Sequence, residues 1–159
     1  MVEHDAAAHR AFVAHQVART YNENMRQTIR VSTRQRNELC DITEQVRDTV
    51  KDSKIQDGLV HIYVRHATAG IMIQENWDES VQNDVVHLLS KLIPKGVWQH
   101  DAQDGNGDSH LKSGLVGPSE TVPLVEGRLA LGRWQNIFLC EFDGPRDREI
   151  LITVIKDEN

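Results

Sequence analysis

The chain is poor in cysteine, has no long apolar run and carries none of the common nucleotide-binding signatures. Only two of its 159 residues are cysteine, Cys40 and Cys140, and they form no CxxC pair. A chain of this length buries a real core in one domain without a disulfide scaffold. A reducing, cytoplasmic compartment is therefore the simplest expectation. No apolar run approaches the roughly 20 residues that cross a bilayer. The N-terminal MVEHDAAAHR lacks a signal-peptide hydrophobic stretch, so no membrane partner is expected. No GxGxxG follows a strand, and there is no P-loop and no GxSxG elbow. The acidic DGNGD is not an EF-hand, because Leu111 and Lys112 stand near the position where that loop needs glutamate. A net charge of -6 with acids and bases interspersed argues against nucleic-acid binding. The densest basic stretch, Arg26 to Arg36, reads first as the solvent side of a strand and second as an anion-binding surface.

What the chain does have is HDAQDGNGDSH, from His100 to His110. It sets two histidines and three aspartates around two glycines in eleven residues. A second polar block, EFDGPR, runs from Glu141 to Arg146. Imidazole and carboxylate oxygen together suit a divalent metal or a phosphate-handling site. A solvated Asp/Gly loop is the equally open alternative.

Periodicity organises the rest. Residues 1–26 form a separable extension in which Ala7, Ala11, Ala14, Ala18, Tyr21 and Met25 recur at helical spacing. It is either a helix packing on the domain or a neighbour, or a polar leader. The domain proper, 27–159, opens with the strand QTIRVSTR. A helix follows, with Ile42, Val46 and Val50 on one face. Either Asp41 and Glu44 form a capping box or Thr43 caps it, and Gly58 stops it. LVHIYVRHAT is the clearest strand, with Val60, Ile62 and Val64 on one side. His66 shares that inward parity at the strand end. A second helix is marked by capping-box spacing at Asn76 and Glu79, an apolar face of Val81, Val85, Leu88, Leu89 and Leu92, and a stop at Pro94 and Gly96. Asp84 lies off that face. From Leu111 onward, strands and tight connections are expected: LKSGLVG, a hairpin turning at Glu126-Gly127, and a last strand EILITVIK. Helices between early strands and a late antiparallel meander make this an α+β domain, not a doubly wound one.

The run HATAGIMIQENWDESVQNDV, followed by HDAQDGNGDSHLKSGLVGPSETVPLVEGRLALGRWQNIFLCEFDGPR, resembles the YjbQ-like family over roughly Gln27 to Lys156. Arg133 departs from it, since the family more often has threonine there. The resemblance implies a sandwich of two sheets with helices, a homotrimer packed sheet to sheet, and a polar pocket near subunit boundaries. It implies thiamine-phosphate synthase activity, in which a hydroxymethylpyrimidine diphosphate joins a thiazole phosphate and releases pyrophosphate. It matches the family's site histidines to His66, His100 and His110. Three imidazoles with an open fourth position favour catalytic zinc. Magnesium, which prefers carboxylate and water, fits this set less well. That mismatch with diphosphate transfer suggests a secondary activity, the native reaction being a metal-assisted hydrolysis or other phosphate-ester chemistry.

The carboxylates Asp84, Asp101, Asp108 and Glu141 are candidate partners for the ring nitrogens. Asp84, Asp108, Glu141 and Cys40 are the catalytic candidates. Cys40 precedes a helix, where a thiol pKa can fall, although a buried inert thiol is the commoner case. Lys112 and Arg146 are expected to hold substrate phosphate, with Asn76 beside them. The alternative for Arg146 is a turn residue paired with Asp143 or Glu141, and for Asn76 a helix cap. The resulting expectation is a metal-dependent enzyme acting on a small phosphorylated metabolite, either a transferase or a hydrolase. The rival is a non-catalytic metal- or metabolite-binding trimer.

Overall fold

Alternation of apolar and polar residues builds two antiparallel sheets in the computed structural model, which describes residues 24–158. The five-stranded sheet has the order β1-β8-β3-β5-β6. Its strands are β1 (Met25–Ser32), β3 (Gly58–Val64), β5 (Ser119–Val125), β6 (Arg128–Leu129) and β8 (Asp147–Lys156). The three-stranded sheet is β2 (Glu38–Asp41), β7 (Gln135–Glu141) and β4 (Ala69–Glu75), in the order β2-β7-β4. Three helices accompany them among the described residues: α1 (Thr43–Ser53), α2 (Glu79–Leu92) and α3 (Gly107–Val116). A short 3-10 turn, Gln99–Ala102, precedes α3. The α+β class and the two-sheet core are as expected. So is the β5–β6 hairpin, where Glu126 and Gly127 both take positive φ, 50° and 71°, as a tight two-residue turn requires.

The main core lies between the sheets. Val60, Ile62 and Val64 of β3 meet Ile150, Ile152 and Val154 of β8, with Ile71, Ile137 and Leu139 opposite and Ile42, Val46 and Val50 closing one end. Burying each such side chain contributes about 1.5–3 kcal/mol. A second, smaller cluster covers the other face of the three-stranded sheet. There Leu39, Met72, Cys140 and Phe142 pack with Val85 and Leu89 of α2 and Val116 of α3. No helix among the described residues is long and apolar enough to cross a membrane.

The helices depart from expectation in several places. LKSGLV, expected as strand, is the body of α3. The boundary of α1 is not a capping box. Ile42 is its N-cap, and Asp41 Oδ1 accepts from Thr43 N and Oγ1 at 2.9 and 2.5 Å. The helix ends at a left-handed Lys54 (φ 58°), and Gly58 instead opens β3. Asp78, not Asn76, caps α2, accepting from Ser80 N at 2.7 Å. Leu88 and Leu92 are 62% and 61% exposed, since of the expected apolar face only Val85 and Leu89 pack into the small cluster on the sheet. Met25, expected in the extension, already belongs to β1. The rest of the expected N-terminal helix, through Tyr21, lies outside the described residues.

Candidate active site at helix α3

α3 runs along the edge of the three-stranded sheet, and its two faces do different things. Asp108, Ser109, Lys112 and Ser113 are buried, spaced as one helical face. Ser109 Oγ donates to Phe142 O at 2.5 Å and Ser113 Oγ to Ala69 O at 2.7 Å, which docks the helix on the sheet. Lys112, only 2% exposed, gives its Nζ to Asp108 Oδ2 at 2.8 Å. Arg36 reaches the same cluster from the β1–β2 connection. Its Nη2 donates to Asp108 Oδ1 at 2.8 Å and its Nη1 to Asp143 Oδ1 at 3.2 Å. Asp143 Oδ2 also accepts from Asn106 at 3.1 Å and from Arg146 Nη2 at 2.7 Å. Burial pushes the Asp143 carboxyl up, but Asn106, Arg146 and Arg36 together hold it below its ordinary value.

Deeper in the sandwich end, Glu141 is wholly buried. Arg148 Nε and Nη2 donate to its two oxygens at 2.7 and 2.5 Å. Thr33 Oγ1 donates at 3.0 Å, and the amides of Phe142 and Asp143 at 2.9 and 2.8 Å. Arg148 is further held by Thr68 Oγ1 at 2.9 Å.

The opposite side of α3 carries Gly107, buried against Trp98, together with half-buried His110 and exposed Leu111. With Val97, Trp98, Gln99 and His100 these line an open cleft of about 490 Å³. The His100 and His110 rings meet edge to face, 4.9 Å between centroids. Asp104 Oδ2 lies 3.7 Å from His100 Nε2. Asp101, expected beside a ring nitrogen, turns instead to backbone amides. The Trp98 amide holds its carboxyl below the ordinary range, aided by the Gly107 amide.

The fold thus brings His100 to His110 but does not add His66 to the cleft lining. His66 follows β3, half-buried, and its Nε2 accepts the Glu149 amide at 2.9 Å. Burial, then Arg148, push its pKa below the ordinary histidine value, so the ring is neutral. With Nε2 occupied, the ring proton sits on Nδ1 and no lone pair remains for a metal. Among the described residues no group of three or more His, Cys, Asp and Glu side chains could hold a metal ion. The three-histidine zinc site therefore does not fit one protomer as it stands.

The other candidates scatter. Asp84 is exposed on α2. Asn76 donates to Asp41 Oδ2 at 2.7 Å and its own amide bonds Trp134 O at 3.0 Å. Arg146 is tied within its own turn, Nε to Asp143 O at 2.8 Å, which is the turn-residue arrangement. Cys40 lies half-buried in β2, its thiol pushed up to about 12 by burial and then by Glu38 and Glu141. The register pairs Leu39 with Cys140 and Cys40 with Leu139, so the two thiols point to opposite faces of the sheet. Both are free. Arg36 is absent from the sequence candidates. Its partners Asp108 and Asp143 stand 72 and 107 residues away, and no local pattern announces them.

The family model described as "UPF0047 protein YjbQ-like" matches residues 27–157. The chain is 48% identical over 128 residues to the UPF0047 protein MJ1081 of Methanocaldococcus jannaschii, covering 80% of this chain and 92% of that protein. It is 40% identical over 134 residues to the UPF0047 protein YugU of Bacillus subtilis, covering 82% and 99%. A crystal structure of a protein of unknown function from Sulfolobus solfataricus superimposes with a TM-score of 0.81 at 35% identity, covering 84% and 98%. One from Aeropyrum pernix gives 0.80 at 31% identity, covering 84% and 99%. With a family model matching nearly the whole domain and relatives up to 48% identical, the chain belongs to the YjbQ-like UPF0047 family.

Proposed function

We propose that the cleft between the 3-10 turn and α3 binds a phosphate-bearing small molecule, with His100 and His110 as its polar end. The observation that carries this is the imidazole pair, 4.9 Å apart in an open cleft. Imidazoles exchange protons near neutral pH, and a protonated ring donates a charge-assisted bond to phosphate. Val97, Trp98 and Leu111 give the cleft apolar walls for the remainder of the ligand. The chemistry that fits is phosphate-ester or diphosphate chemistry, either a thiamine-phosphate synthase-like transfer or a hydrolysis, in a cytoplasmic protein. A zinc ion here would find two imidazoles, one fewer than a catalytic zinc usually takes from protein. The remaining ligand would come from a second copy.

A homotrimer belongs to the same proposal. Among the described residues, Leu59, Tyr63, Val125 and Ile155 stand exposed on the five-stranded sheet, a surface suited to sheet-to-sheet packing. The rival reading, a metabolite-binding trimer without turnover, is favoured by one observation. Glu141, Asp108 and Lys112 are all committed to buried ion pairs, which leaves the imidazoles to move any proton.

Calorimetric titration of inorganic pyrophosphate, with and without zinc, tests the site. Affinity should fall about tenfold or more in His110→Ala, the scale of losing one charge-assisted bond, and persist in His66→Ala. The reverse pattern would return the site to His66. Turnover of the two thiamine precursors separates enzyme from binding protein.

A further inference from the structure

The two imidazoles stand on different elements, and their contact requires the 3-10 turn to be held against the first turn of α3. Asp101 spans that joint. Its Oδ2 accepts the Trp98 amide at 2.9 Å, closing the 3-10 turn. Its Oδ1 accepts the Gly107 amide at 2.8 Å, the first residue of α3. Its backbone carbonyl accepts from Gly105 N at 3.2 Å, which folds the intervening loop back on itself. The two walls approach so closely that a Cβ on Gly107 would lie 2.8 Å from Trp98 Cβ and 3.1 Å from Asp101 Oδ1. Trp98 is fixed in turn, its Nε1 donating to Pro94 O at 2.6 Å. One carboxylate therefore joins the wall that carries His100 to the wall that carries His110.

We infer that Asp101 is a positioning residue for this cleft: by accepting the Trp98 and Gly107 amides together, it sets His100 against His110 and so sets the cleft's affinity for its ligand. It touches neither imidazole through a hydrogen bond and takes no part in chemistry. Its role differs from that of a carboxylate orienting a ring nitrogen, because it orients two backbone segments. An alanine has no acceptor for either amide. An asparagine has one acceptor oxygen and must present its NH₂ to the other amide, so it satisfies one link and opposes the second. The role rests on the cleft being the binding site, and its test separates the two ideas.

The test uses the full chain, in wild type and in Asp101→Ala, Asp101→Asn and Gly107→Ala. The first readout is the NMR cross-peak between the His100 and His110 ring protons, and the second is the affinity for inorganic pyrophosphate. Asp101→Ala and Gly107→Ala disturb opposite halves of the joint. Each should abolish the cross-peak and weaken pyrophosphate binding about tenfold or more, the scale seen when supporting residues around a site are removed. Amide signals from the two sheets should stay in place. Asp101→Asn should keep a weakened cross-peak and an intermediate affinity. An intact cross-peak and unchanged affinity in Asp101→Ala and Gly107→Ala would overturn the inference. If wild type binds no pyrophosphate, the cleft assignment fails, while the cross-peak still decides what Asp101 does.

Discussion

Replacing Glu141 by glutamine keeps the size of a wholly buried side chain and removes its charge. Arg148, 3% exposed, then has no carboxylate to face its Nε and Nη2. The best amide orientation turns its NH₂ toward Thr33 Oγ1 and keeps the oxygen for Arg148 Nη2 and the Phe142 and Asp143 amides. Arg148 Nε then faces a donor. Breaking a buried ion pair from one side costs about 3–5 kcal/mol, because the other charge stays buried and uncompensated. For a domain of this size each kcal/mol lowers Tm by about 3–4 °C, so Tm should fall by about 10–20 °C. Replacing both partners, Glu141→Leu with Arg148→Met, leaves no orphan charge and should cost clearly less than the single change. Thermal and urea unfolding read both values. If Glu141→Gln keeps the wild-type Tm while pyrophosphate binding or turnover collapses, Glu141 works on substrate and the structural assignment is wrong.

Two further predictions concern the fold. Gly58→Ala places a Cβ 1.9 Å from the Ile155 carbonyl oxygen. β3 and β8 must part there, costing at least the ~1–3 kcal/mol of overpacking, which a urea midpoint would register; an unchanged midpoint would mean the strands are not so close. Cys40, with its thiol raised from 9.0 to about 12, should resist alkylation at pH 8 until the chain unfolds. Between those two values the unfolded chain has released the proton and the folded one has not, so stability falls as pH rises through that window. Part of that fall should be missing in Cys40→Ser, and identical slopes in both proteins would show that burial does not hold the thiol.

β3 was legible because its core obeys the simplest rule, whereas β2 and β4, whose burial does not alternate, went unread. β3 alternates buried Val60, Ile62 and Val64 with outward Leu59, His61 and Tyr63, and a period of two marks a half-buried strand. α3 was illegible because its pattern is inverted. Its buried face is Asp108, Ser109, Lys112 and Ser113, while Leu111 and Leu115 are exposed. A rule that sends apolar residues inward cannot find such a helix, and Gly114 and Gly117 further disguise it. The histidine pair was legible as a composition, two imidazoles bracketing an acidic run. Its separation from Lys112 was not, because neighbours in sequence fall on opposite sides of a helix. The same run misled about its carboxylates: Asp101 and Asp108 serve backbone amides and cations, not imidazoles. Arg36 showed only as the end of a basic stretch, and its role could not be read, since its ion pairs close loops of 72 and 107 residues.

The most direct test of the cleft is to map pyrophosphate onto the protein residue by residue, by NMR titration of isotope-labelled full chain. Binding between the 3-10 turn and α3 predicts that the largest shifts fall on Trp98, His100, Gly107, His110 and Leu111, and that they vanish in the double variant His100→Ala/His110→Ala. Shifts centred on Arg36 and Arg146 instead, and unaffected by that double variant, would contradict the assignment and move the site to the inward side of α3.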